Sequence, residues 1–133
     1  MLKRFLVGIL FILSVCSMQA QGWENAYGGE SIDIGNSVLT TLDGGLITCG
    51  YSTSFDNTFE SVYVVRTDVE GDTLWTNFFG TEELREYGLS IIETSEGDFV
   101  IAGYNNDPTG TNSEQVYLLK IDNQGNQLWD NTF

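Results

Sequence analysis

The side chains here that could do chemistry are almost all oxygen donors. The chain has 133 residues, with nineteen Asp and Glu, five Lys and Arg, and no His. Close carboxylate pairs occur at Glu82-Glu83 and at Glu93 with Glu96. Glycoside hydrolysis needs two carboxyl groups at a set separation across a cleft, and an acidic chain supplies sequence-adjacent pairs with no cleft at all. Asp68-x-x-Gly71-Asp72 and residues 105–112 gather the oxygen ligands that Ca²⁺ takes. Neither has EF-hand spacing, and a tight turn calls for the same Asp and Gly. Cys49 has no His to activate it as a nucleophile. The expectation is a chain without a catalytic, cofactor-binding or metal site, and so not an enzyme.

The elements that would position these groups are hairpins. Asp68-x-x-Gly71-x-x-x-Trp75 recurs as Asp122-x-x-Gly125-x-x-x-Trp129, 54 residues later. On either side lie β-branched and aromatic runs, residues 62–68 with 73–79 and residues 116–122 with 127–129, joined by Gly-centred turns. The Asp accepts turn N–H groups and the Gly takes a positive φ without a Cβ clash. A second pair of hairpins precedes these, with turns at Asp43-Gly44-Gly45 and Glu96-Gly97-Asp98. Four strands in about 53 residues form one unit, a length that suits a propeller blade and exceeds a leucine-rich or hexapeptide coil. Apolar residues fill consecutive positions in residues 99–102 and 116–119, as expected of sheets covered on both faces.

Residues 1–20 read as a secretory signal. Lys3 and Arg4 form the basic start, residues 5–15 an apolar run too short to span a bilayer, and Ala20 the small residue before the cut. Leu13-Ser-Val-Cys16 gives the alternative of lipid anchoring at Cys16, although Val15 stands where a lipidation signal takes Gly or Ala. Loss of Lys3 and Arg4 leaves Arg66, Arg85 and Lys120 against nineteen acids. Such a surface repels phosphate backbones and anionic lipid, which sets aside nucleic-acid and membrane-surface binding. Cys49 and its counterpart Ala102 read as small core residues. Tyr51 with Tyr104, and Tyr63 with Tyr117, hold equivalent places and read as core, whereas Tyr27 and Tyr87 are candidates for stacking on sugars.

The expected fold is all-β: two consecutive four-stranded antiparallel propeller-type blades in an incomplete propeller. Residues 21–34 hold an orphan fourth strand and link, because Trp23-x-Asn25 matches Trp75-x-Asn77; residues 35–79 form the first blade and 80–133 the second. The Asp-x-x-Gly-x-x-x-Trp motif resembles the tryptophan-docking turn of quinoprotein-like propellers. The fuller pattern is similar to repeats of secreted bacterial propeller proteins that often carry a type IX sorting domain. The resemblance spans residues 23–133 and implies Trp packing between neighbouring blades. It does not extend to the quinone and metal ligands of the dehydrogenases. Propellers run from about four to eight blades, so further blades or self-association are expected to cover the sheet faces, in a fragment of a larger protein. The expected function is a non-catalytic exported module for protein or glycan interaction, with the loops at 52–61 and 105–115 as its contact face. The alternatives are a structural spacer and part of a polysaccharide-active or quinoprotein-like enzyme.

Overall fold

The computed structural model describes residues 22–55, 59–106 and 114–133. The segment expected to be a secretory signal, with Cys16, and the centres of both long loops lie outside the described residues. Eight strands follow in chain order: β1 Asp33–Thr40, β2 Leu46–Ser52, β3 Ser61–Thr67, β4 Thr73–Phe79, β5 Arg85–Glu93, β6 Phe99–Asn106, β7 Gln115–Ile121 and β8 Gln127–Thr132. They form two four-stranded antiparallel sheets, ordered β1-β2-β3-β4 and β5-β6-β7-β8. Among the described residues no helix is long and apolar enough to cross a membrane.

Four hairpin turns share one geometry. The residue at the strand end (Thr41, Asp68, Thr94 or Asp122) donates its N–H to the carbonyl four residues on and accepts the N–H of the Gly three residues on. Those glycines, Gly44, Gly71, Gly97 and Gly125, have φ between 84° and 89°, a region that L side chains avoid. Asp68 Oδ1 accepts the N–H groups of Glu70 and Asp72, and Asp122 Oδ1 those of Gln124 and Asn126. These turn bonds are the role the structure gives Asp68 and Asp122. No group of three or more acidic, Cys or His side chains is gathered for a metal among the described residues.

Both sheets begin with a bulge, at Gly35/Ser37 in β1 and Gly88/Ser90 in β5. Each bulge brings its strand onto a Gly of the next one: a Cβ on Gly50 would lie 1.7 Å from the Ile34 carbonyl oxygen, and one on Gly103 1.7 Å from that of Tyr87. The sheets pack face to face, burying Ile47, Cys49, Val62 and Val64 of the first against Phe99, Ile101, Leu119 and Ile121 of the second. Cys49 is fully buried and free, and burial pushes its thiol up to about 12, which suits a core residue.

Coverage of the two sheets differs. β3 is buried at every position, whereas β7 alternates and opens at Gln115 and Val116. The apolar runs of both third strands imply cover on both faces, and only the first sheet has it.

Candidate functional site

Among the described residues the basic side chains Arg66, Arg85 and Lys120 are tied to carboxylates. Arg66, almost wholly buried, forks onto both oxygens of Asp43 across its sheet and donates to the Leu46 and Thr67 carbonyls. Thr41 and Arg66 hold the Asp43 carboxyl down to about 2. Lys120, at the matching position, pairs with Asp98 at 2.8 Å, and Arg85 meets Glu60 at 3.3 Å. The candidate carboxylates are likewise engaged: Glu93 accepts the Leu42 N–H from the other sheet, and Glu96 lies 3.7 Å from Lys120. Glu82 and Glu83 are exposed beyond β4. The structure brings none of these pairs into a shared cleft.

An opening between the sheets, about 460 Å³, is lined by Arg66, Asp43, Trp75, Glu93 and Asn123 among others. Asp43, Arg66 and Glu93 in its lining already have protein partners, and Trp75 Nε1 donates to the Asn123 carbonyl at 3.2 Å. Little is left to orient a small substrate, which pockets do with a few convergent polar groups.

The tyrosines are also engaged internally. Tyr63 and Tyr117 are buried. Tyr51, Tyr87 and Tyr104 form one cluster, with Tyr87 edge-on to Tyr51 at 4.9 Å and stacked on Tyr104 at 4.7 Å. Tyr27 donates its hydroxyl to the Gly71 carbonyl at 2.6 Å. Both residues singled out for sugar stacking therefore have protein partners.

A recurring docking device stands out instead. Asn77 Nδ2 donates to the Gly125 carbonyl at 2.8 Å, and a Cβ on Gly125 would lie 3.0 Å from the Trp75 ring. The Trp thus sits on the bare Cα of the next sheet's turn, so this Gly is needed both for its φ and for its missing side chain. Residues 23–29 repeat these contacts on the first sheet. Asn25 donates to the Gly71 carbonyl at 2.9 Å, and a Cβ on Gly71 would lie 2.6 Å from the Trp23 ring. Residues 22–30 nevertheless form no strand: they reproduce the docking of a fourth strand without its ladder.

The same alignment continues into a buried carboxylate. Thr81 donates its N–H to Glu86 Oε1 at 3.1 Å, as Gly29 donates to Asp33 Oδ2 at 2.8 Å. Glu86 is 2% exposed. Burial raises its carboxyl from 4.5 to about 7, against the Thr81 hydrogen bonds and with help from the charge of Asp130. Sequence reasoning missed Asp33, Glu86 and the docking asparagines. The available signal is Trp-x-Asn at 23, 75 and 129, which marks a repeated strand but does not by itself show that the Asn docks on the next turn.

No family model and no curated protein matches the chain. The third Trp-x-Asn, Trp129 with Asn131, lies on β8, where every residue is exposed. Around it is the face of the second sheet turned away from the first. In register terms this face corresponds to the buried face of the first: Val116 stands for Val62, Leu118 for Val64, Ala102 for Cys49 and Phe133 for Phe79. Val62 is fully buried and Val116 56% exposed, while Phe79 is 8% exposed and Phe133 70%.

Proposed function

We propose that the chain is a non-catalytic, exported interaction module, formed by two consecutive propeller-type blades and taking a protein partner on the outward face of the second sheet. Matching positions with opposite exposure carry this reading: Val62 and Phe79 are covered, whereas Val116 and Phe133 are open. Ile92, 59% exposed, extends the open face, and Lys120 and Trp129 share its side of the sheet. Contiguous apolar exposure of this kind marks an interaction surface. Protein is favoured over glycan because the face exposes the aliphatic Ile92 and Val116 beside Trp129 and Phe133, and because Tyr27 and Tyr87 already have protein partners. The propeller-type arrangement is supported by Trp75 and Asn77 docking onto the neighbouring sheet's turn. Export is supported by Lys3, Arg4, the apolar run at 5–15 and Ala20.

The test is binding of anilinonaphthalene sulfonate, a dye that fluoresces on exposed apolar surface, to the folded chain. The wild type is expected to enhance its fluorescence, and Ile92→Asp/Val116→Asp to lose most of that signal with an unchanged circular dichroism spectrum. Absence of enhancement by the wild type would overturn the reading.

A further inference from the structure

The outward face of the second sheet matches a surface that the chain itself carries. Within the molecule, the inner face of the first sheet receives Phe99, Ile101, Leu119 and Ile121 of the second. The positions equivalent to these on the first sheet are Leu46, Thr48, Val65 and Thr67, on its far side. One end of the two-sheet stack thus has the form of the other end's partner. Residues 22–31 stand over that far side: Tyr27 lines a cavity of about 140 Å³ there with Thr48, Tyr63 and Val65, and Trp23 and Asn25 hold the Gly71 turn.

Trp129 and Asn131 have the residue types and spacing of the pairs that dock on Gly71 and Gly125. Both turns are occupied, the second by Trp75 of a fully laddered strand and the first by a segment without a ladder. That segment is tied down beyond its docking contacts by a few bonds to the end of β2, such as Ser31 N–H to Ser54 Oγ and Thr53 N–H to the Ile32 carbonyl. It is the exchangeable occupant.

We infer that a second copy of the chain docks head to tail on the outward face of the second sheet, its Gly71 turn taking Trp129 and Asn131 in exchange for its own Trp23 and Asn25. The inference rests on the proposed role of that face and names its partner. Contacts at the turn are exchanged Trp for Trp and Asn for Asn, while Phe133 in the place of Tyr27 gives up the hydroxyl bond to the Gly71 carbonyl. The net gain is burial of Val116, Ile92 and their neighbours, which drives association. The interface is heterologous, so copies add in one direction and give rings or short filaments. Like charge opposes the contact between such acidic copies, and salt relieves the opposition.

Sedimentation velocity across a concentration series tests this on residues 21–133. The wild type is expected to associate weakly, and more strongly at high salt. Trp23→Ala frees the Gly71 turn and is expected to tighten self-association by on the order of tenfold or more, as removal of a competing state does. Trp129→Ala is expected to remain monomeric alone and in the Trp23→Ala background. Phe133→Asp, a change at a side chain exposed in the monomer, is expected to abolish association without disturbing the fold. A monomeric Trp23→Ala chain that keeps its circular dichroism spectrum and melts cooperatively would overturn the inference, as would association undiminished by Trp129→Ala. If all variants are monomeric while the dye still binds and is lost in Ile92→Asp/Val116→Asp, self-docking is excluded and the face serves another protein. If the dye does not bind either, the functional reading falls as well.

Discussion

Gly103→Ala is expected to destabilise the chain by more than about 3 kcal/mol, the upper end of what overpacking a core costs, and to abolish the near-ultraviolet signal of the tyrosine cluster. The new methyl would lie 1.7 Å from the Tyr87 carbonyl oxygen and 2.8 Å from its carbon. Backbone cannot swing aside as a side-chain tip can, so β5 must leave β6 over the bulge. Tyr87 would then lose its stack on Tyr104 and its edge contact with Tyr51, and the β5 contacts with the first sheet would go with it. Whole-domain stability is about 5–15 kcal/mol, so the variant is expected to be unfolded or close to it in chemical denaturation. Gly22→Ala is the control, because a Cβ there meets nothing within 4 Å. Equal denaturation midpoints for Gly103→Ala and wild type would rule out this bulge geometry.

The second large effect is a pH dependence centred on Glu86. Its carboxyl is raised to about 7 by burial, so the fold favours the protonated form. Stability from this group is therefore full below the unfolded value of about 4.5, declines as pH rises towards 7, and is lost above it. The span amounts to on the order of 3 kcal/mol. Glu86→Gln removes the charge and keeps an acceptor for the Thr81 N–H and hydroxyl. It also offers a donor in a place where Glu86 Oε2 and Oδ1 of its cross-strand partner Asn105 are both buried without hydrogen bonds. The variant is expected to be more stable than wild type at pH 8 by about that amount and nearly equal to it at pH 4. Urea denaturation at the two values measures this. A pH-independent difference, or a loss of stability at pH 8, would mean that the fold does not favour the protonated carboxyl.

The hairpins were legible because turn chemistry is local. Asp68 and Asp122 bond to N–H groups two and four residues away, and Gly71 and Gly125 need only their own φ. Strand order and the burial of Cys49 followed from apolar runs on matching positions. Three things depended on distant atoms and were not legible. Bulges interrupt β1 at Gly35/Ser37 and β5 at Gly88/Ser90, and β1 starts at Asp33, ahead of the blade boundary at residue 35 read from sequence. The segment around Trp23 carries a fourth-strand pattern, yet a ladder needs a neighbouring strand, and only its side-chain docking is formed. Glu86 looks like any other acid in an acidic chain, and what sets it apart is burial beneath residues from both sheets. Equal apolar patterns in β3 and β7 likewise promised equal cover, and the open face of β7 is where expectation and structure part.

Thiol labelling of Val62→Cys and Val116→Cys, prepared separately and measured in dilute solution, tests most directly whether equivalent faces differ in exposure. Cys49 stays silent, since it is fully buried with its thiol pushed up to about 12. The predicted result is that Cys at position 116 reacts nearly as fast as in the denatured chain, whereas Cys at position 62 reacts only through unfolding. Equal protection at the two positions, or fast labelling at position 62, would contradict it.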